Sequence, residues 1–152
     1  MKRILITGMS GTGKSTALAA LARRGYATCD LDAHSSPGAD GEWFWDEAAV
    51  ARILDDPSYG VLFVSGCADN QYKFYDRFDA IVLLSAPVDV MLERLRTRTN
   101  SGFGKTPEQL AKILDDTRQF EPLLRQRASR EIVTTGSIDE VVEALLRIAR
   151  VA

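Results

Sequence analysis

The sequence predicts an α/β fold, a five-stranded parallel sheet with helices on both faces. Three observations lead there. Short apolar runs alternate with stretches of helical periodicity from one end of the chain to the other. The segments between successive apolar runs are too long for hairpins, so the strands are joined by crossovers and lie parallel. Finally, 152 residues with 45% hydrophobic content can bury one core and not two, so one domain spanning residues 1–152 is expected.

The elements follow in order. Ile4-Leu5-Ile6 is the first strand. Lys14 to Arg24 is a helix in which Leu18, Leu21 and Ala22 recur at spacings of three and four, and Gly25 ends it. Tyr26 to Cys29 reads as strand two, Asp46 to Leu54 as a helix, Val61 to Ser65 as strand three and Ala80 to Leu84 as strand four. Val88 to Arg98 is helical, with Met91, Leu92 and Leu95 inward. Thr106-Pro107-Glu108 starts another helix, with an N-cap and a proline in the first turn, that runs to about Ala128. Glu131 to Thr134 is a last short strand, and Ser137-Ile138-Asp139-Glu140 is a capping box that opens the final helix. In such a sheet ligands gather beyond the carboxyl ends of the strands, so functional residues belong just after strands.

Composition excludes several classes. A net charge of −2 and a pI near 5.4 give no basic field, so no long nucleic acid is expected as a partner. Met1-Lys2-Arg3 leads into an apolar run too short for a leader or a membrane span, which predicts a cytoplasmic protein with no membrane partner. Cys29 and Cys67 stand far apart without metal-ligand spacing and read as reduced thiols. A monomer or weak dimer acting on a small molecule is the expectation.

The strongest motif is Gly8-Met9-Ser10-Gly11-Thr12-Gly13-Lys14-Ser15, which fits G-x-x-x-x-G-K-[ST] directly after a strand and directly before a helix. Its glycines, Gly8, Gly11 and Gly13, let the backbone curl so that successive N–H groups, including those of Ser10, Thr12 and Thr16, converge on phosphate. Lys14 supplies a point charge for the β- and γ-phosphates, and the Ser15 hydroxyl is placed for magnesium. This predicts a P-loop that binds ATP with Mg2+. No guanine-reading N-K-x-D is present, and strand three ends in Ser65-Gly66, where many ATPases place a magnesium-linked aspartate. The acid is therefore expected from Asp30 and Asp32 after strand two. One can hold a magnesium-bound water, and the other can orient an attacking hydroxyl and accept its proton.

At these residues the chain resembles the small P-loop kinases, including shikimate kinase, dephospho-CoA kinase and the adenylate-kinase-like enzymes. Ile6-Thr7-Gly8 through Lys14-Ser15-Thr16, then Arg24-Gly25-Tyr26 and Asp30-Leu31-Asp32, is similar to the opening of shikimate and dephospho-CoA kinases. The resemblance implies that Asp30 is the metal-side acid and Asp32 the acceptor-side one. Leu83-Leu84-Ser85-Ala86-Pro87 followed by Glu93-Arg94-Leu95-Arg96-Thr97-Arg98 is similar to the same group's lid entry. It implies that Arg94 lies on the adenine and Arg98 contacts phosphate, which sets Lys14, Asp32 and Arg98 as the catalytic trio. Guanidinium groups suit both tasks, since they stack on bases and grip phosphate oxygens in a fork. Between about residues 99 and 106, two glycines and Lys105 suggest a short lid closing over phosphates. Arg118 stands roughly where these kinases carry another arginine.

The departures bear on the acceptor. Shikimate kinases carry an arginine in the helix after strand two and a glycine triplet after strand three. Here those regions read Glu42-Trp43-Phe44-Trp45-Asp46-Glu47 and Ser65-Gly66-Cys67-Ala68-Asp69-Asn70-Gln71. From Cys29 to Asp76 there are two basic side chains, Arg52 and Lys73, against ten acids, whereas Arg94 to Arg130 holds nine basic residues. Binding an anionic acceptor normally uses arginine forks, so this polarity predicts a neutral or cationic acceptor. Trp43, Trp45, Asp69 and Asn70, together with Asp32, are the candidate acceptor contacts. The reading is ATP-dependent transfer of the γ-phosphate to a hydroxyl. Its alternatives are a nucleoside monophosphate kinase and an ATP-binding regulator without catalysis.

Overall fold

The computed structural model describes residues 1–98 and 104–152. Five parallel strands form the main sheet in the order β2-β5-β1-β6-β7, with β1 (Lys2–Thr7) at its centre. β5 (Val61–Ser65) and β6 (Ala80–Ser85) flank β1, while β2 (Ala27–Asp30) and β7 (Arg130–Val133) are the edges. In register, Ile4 lies between Phe63 and Ala80. The chain leaves β1 for one edge and later returns to its other side, so the loop after β1 opens at the point where the strand order reverses.

Alternation along β1 builds two cores, because successive side chains point to opposite faces. Ile4 and Ile6 pack with Phe63, Val82 and Leu84 beneath α1 (Lys14–Arg23) and α5 (Ile138–Val151). Leu5 faces the other way, with Leu62, Val64 and Ile81, onto Val50 and Leu54 of α2 (Glu47–Asp55) and onto Phe74 and Tyr75. Helices cover both faces, as expected. A small third cluster of Met91, Leu95 and Ile113 joins α3 (Val88–Thr97) to α4 (Pro107–Arg127).

The helix ends follow local chemistry. Gly25 takes φ +90° past the end of α1, where its N–H bonds Ala22 O at 3.0 Å and Tyr26 N–H bonds Leu21 O at 3.1 Å. That pair of bonds is a Schellman closure. Tyr26 thus belongs to the helix end, which is why β2 starts one residue later than its apolar run suggests. At α4 Thr106 and Gln109 form a full capping box, whereas at α5 Ser137 Oγ accepts from Glu140 N–H at 3.1 Å.

The largest difference from expectation lies between β2 and α2. Leu31–His34 forms a 3-10 turn, and Ser35–Pro37 (β3) pairs antiparallel with Trp43–Trp45 (β4), matching Ser35 with Trp45 and Pro37 with Trp43. A second 3-10 turn covers Gln71–Arg77. Three-residue strands are too short to show a period of two, so the hairpin left no pattern in the sequence. Of the lid expected at about residues 99–106, residues 99–103 lie outside the described residues. Among those described, no helix is long and apolar enough to cross a membrane.

Candidate active site

The phosphate loop spans the end of β1 and the start of α1. Gly8 must be glycine, since a Cβ there would sit 2.5 Å from Leu84 O and 2.8 Å from Thr12 Oγ1. Thr12 is fully buried, and its hydroxyl donates to Met9 O at 2.7 Å, tightening the curl. Gly13 is the N-cap of α1, with no side chain to occupy the positive end of the helix. Lys14 Nζ lies over the loop, donating to Gly8 O at 2.6 Å and Met9 O at 3.0 Å. Amides, helix end and ammonium thus converge, as an anion site requires.

A cleft of about 470 Å³ opens above the loop. Its floor is Ser10, Gly11, Gly13, Lys14, Ser15 and Thr16. Sheet order sets Asp32, beyond β2, on one side of this floor and Thr134, beyond β7, on the other. Arg94, Thr97 and Arg98 line it from α3 and its end, and Gly136, Ile138 and Val141 add an apolar border next to Thr134. Residues from the two halves of the chain therefore meet at one cavity.

Asp32 is half-buried at the mouth. Trp45 Nε1–H donates to its Oδ1 at 3.0 Å, and Cys67 N–H donates to Oδ1 at 3.0 Å and to Oδ2 at 3.2 Å. Burial pushes the Asp32 carboxyl above the usual range, opposed by the Trp45 bond, the Lys14 charge and the Cys67 amide. Asp30 is exposed, and its Oδ1 accepts Asp32 N–H at 2.9 Å, capping the 3-10 turn. Arg98, at the end of α3, has its pKa lowered by burial.

Arg94 holds the other side together. Its Nη1 donates to Thr134 Oγ1 at 2.8 Å and Gly11 O at 3.3 Å, and its Nη2 donates to Thr134 O. The buried Thr134 hydroxyl in turn donates to Thr12 O at 2.8 Å. Thr134 is thus a strut between the last strand and the phosphate loop. The sequence reading placed Thr134 inside the last strand, whereas β7 ends at Val133 and leaves Thr134 just beyond it, where site residues gather. Thr97, Gly136, Ile138 and Val141 were missed as well.

Several expected acceptor contacts are committed elsewhere. Trp45 is 2% exposed and belongs to the core, touching Asp32 with its ring nitrogen instead of presenting a face to a ligand. Asn70, 5% exposed, brackets the Trp45 backbone, with Oδ1 accepting Trp45 N–H at 2.9 Å and Nδ2 donating to Trp45 O at 3.0 Å. Asp69 is exposed, and its Oδ2 accepts Trp43 N–H at 3.0 Å. Trp43 is 50% exposed two residues before Trp45, and none of Trp43, Trp45, Asp69 and Asn70 lines the cleft. Lys105 does not reach over the phosphate loop. Its Nζ donates to Leu95 O, Arg96 O and Arg98 O at 2.6–2.8 Å, a cation satisfying the open carbonyls of a helix end. Arg118 points to solvent with a weak 4.0 Å contact to Asp115.

A phosphate loop at the switch point of a 2-5-1-6-7 parallel sheet, facing an acid beyond the edge strand and arginines beyond β6, defines a P-loop nucleotide-binding protein of the small-kinase kind. The chain belongs to the AAA domain family, whose model matches residues 4–115. It is 29% identical over 164 residues to a shikimate kinase of Halorhodospira halophila, covering 94% of this chain and 93% of that one. A shikimate kinase from Acinetobacter baumannii, solved in complex with shikimate, superimposes with a TM-score of 0.68 at 22% identity over 97% of this chain and 92% of that one. A gluconokinase from Sinorhizobium meliloti gives a TM-score of 0.66 at 24% identity over 99% and 93%. At these identities the two superpositions show a shared fold.

Proposed function

We propose that this chain transfers the γ-phosphate of ATP to a hydroxyl of a small, neutral or cationic molecule. The observation that carries the reading is that Asp32, buried enough to raise its pKa, lines the same cleft as Lys14 and the phosphate-loop floor. A base and a phosphate site in one cavity are the minimum for phosphoryl transfer to an alcohol.

The donor set suits the implied groups. Residues 10–16 offer a glycine-lined cradle of amides for polyphosphate, and Ser15 on the cleft floor offers a hard oxygen to magnesium; Asp30, which caps the 3-10 turn outside the cleft lining, would act on the ion through one of its waters. Magnesium would supply charge neutralisation on the phosphate oxygens. Lys14 orients the β- and γ-oxygens, Arg98 faces the transferring group, Arg94 faces the base, and Asp32 holds the acceptor hydroxyl and takes its proton.

The acceptor class rests on charge. Among the described residues that line the cleft, the cations are Lys14, Arg94 and Arg98, all assigned to the ATP end. Lys73 pairs with Glu47 at 3.1 Å, and among the described residues no arginine from the hairpin side lines the cavity to fork a carboxylate. The exposed Trp43 ring and Asp69, joined through the Trp43 amide, suit a flat or amine-bearing alcohol. An ADP-release screen over nucleosides, amino sugars, shikimate, gluconate and nucleoside monophosphates tests this. The fastest turnover is expected from a neutral or amine-bearing alcohol, and fastest turnover with a carboxylate or phosphate acceptor would overturn the charge argument.

A further inference from the structure

The Asp32 carboxylate is held by donors that have no part in binding phosphate. Trp45 Nε1–H and Cys67 N–H both approach Oδ1 at 3.0 Å, while Oδ2 receives only the longer 3.2 Å branch from Cys67. Oδ1 is therefore saturated and Oδ2 keeps lone-pair capacity for another partner. The indole is held by packing, since Trp45 is a core residue with the Phe74 ring at 6.1 Å between centroids, and the Asn70 amide brackets its main chain. Gly66 completes the fit. A Cβ there would stand 2.7 Å from Asp32 Oδ1 and 2.9 Å from Trp45 Cζ2, so no larger residue lets the acid and the ring meet. Apolar filling alone would be met by phenylalanine, but the ring nitrogen aimed at a carboxylate is a separate feature.

We propose that Trp45 is a positioning residue for phosphoryl transfer: its indole N–H, with the Cys67 amide, turns Asp32 so that Oδ2 meets the acceptor hydroxyl. The inference rests on the kinase reading above. In the step, the acceptor oxygen bonds to the γ-phosphorus, the bond from that phosphorus to the departing ADP oxygen breaks, and the hydroxyl proton passes to Asp32 Oδ2. Without the indole N–H the carboxylate keeps one donor and turns about its terminal torsion, which is soft. The acceptor then loses its aligned base without losing its binding surface.

Trp43 and Trp45 are the two tryptophans of the chain, so a 1H–15N spectrum carries two indole resonances that single Trp→Phe variants assign. Asp32→Ala is expected to move the Trp45 indole resonance and leave that of Trp43 in place. Trp45→Phe is expected to lower kcat by about 10- to 100-fold while the KM for ATP changes by less than about twofold. Gly66→Ala, which leaves the indole N–H intact but crowds Asp32, is expected to reproduce the kcat loss. Wild-type kcat in Trp45→Phe, or an indole resonance unmoved by Asp32→Ala, would overturn the proposal. If wild-type protein transfers phosphate to no acceptor while the indole shift appears, the kinase reading fails and takes the positioning role with it, though the hydrogen bond stands.

Discussion

Asp32 stands under opposed influences: burial raises its pKa, and the Trp45 indole, Lys14 and the Cys67 amide pull it back. On the kinase reading, this carboxylate is the group that orients the acceptor hydroxyl and takes its proton. Asp32→Asn keeps the shape and removes the base, so turnover should fall by about 100- to 10,000-fold while calorimetric ATP affinity stays near wild type. Normal turnover would remove Asp32 from the acceptor role. At this scale the phosphate loop was legible because its function lies in contiguous backbone, where eight residues carry the whole pattern. Trp45 and Asn70 were not. Their roles depend on partners 13 and 25 positions away, and an aromatic cluster read from sequence does not say which ring points inward. Lys105 misled for a related reason, since a lysine beside glycines reads the same whether it awaits a phosphate or closes a helix end.

Among the elements, the five main strands and the long helices were readable because each spans at least one full period of its own pattern. The β3–β4 hairpin spans too little chain to do so, and what fixes it is a clamp made by distant polar groups, Asp69 and Asn70. Arg3 shows the same limit. It lies on β1, 3% exposed, and its guanidinium donates to Leu54 O at 2.9 Å, Asp56 O at 2.7 Å and Tyr59 O at 3.1 Å, pinning the end of α2 and the approach to β5. Arg3→Met fills the space but orphans those carbonyls, so urea unfolding should show a loss of about 2–4 kcal/mol. At the opposite edge Glu131 on β7 accepts from Arg125 Nε at 2.8 Å and from Ser85 Oγ at 2.6 Å, tying an edge strand to α4 and β6. The Arg125 guanidinium, then the Ser85 hydroxyl, hold its carboxyl below the ordinary value of 4.5. Because folding lowers this pKa, the stabilisation is present above pH 4.5 and is lost as pH falls beneath it. The gap in thermal midpoint between wild type and Glu131→Gln should close as pH drops from about 6 to about 3, and a gap that stays constant would assign Glu131 no such role.

For the molecule as a whole, the phosphate loop is the place where its separate parts share a boundary. β1, which carries the loop, contributes Ile4 and Ile6 to one core and Leu5 to the other. Arg94 and Thr134 tie the loop to α3 and to the end of β7, and Asp32 and Cys67 tie the facing wall to β2 and β5. A ligand in the cradle would thus be coupled to both faces of the sheet, so unfolding either face would displace its site. Binding to the folded state alone should then stabilise globally, by about 2.7 kcal/mol at a ligand concentration of roughly 100 Kd. For a domain of this length that corresponds to a rise of about 5–10 °C in thermal midpoint. MgATP should produce this rise in a single cooperative transition, and Lys14→Ala, which removes the ammonium over Gly8 and Met9, should abolish most of it. No shift with any nucleoside triphosphate would refute the nucleotide site itself, whereas a shift confined to a minor early transition would show that the cradle unfolds apart from the two cores.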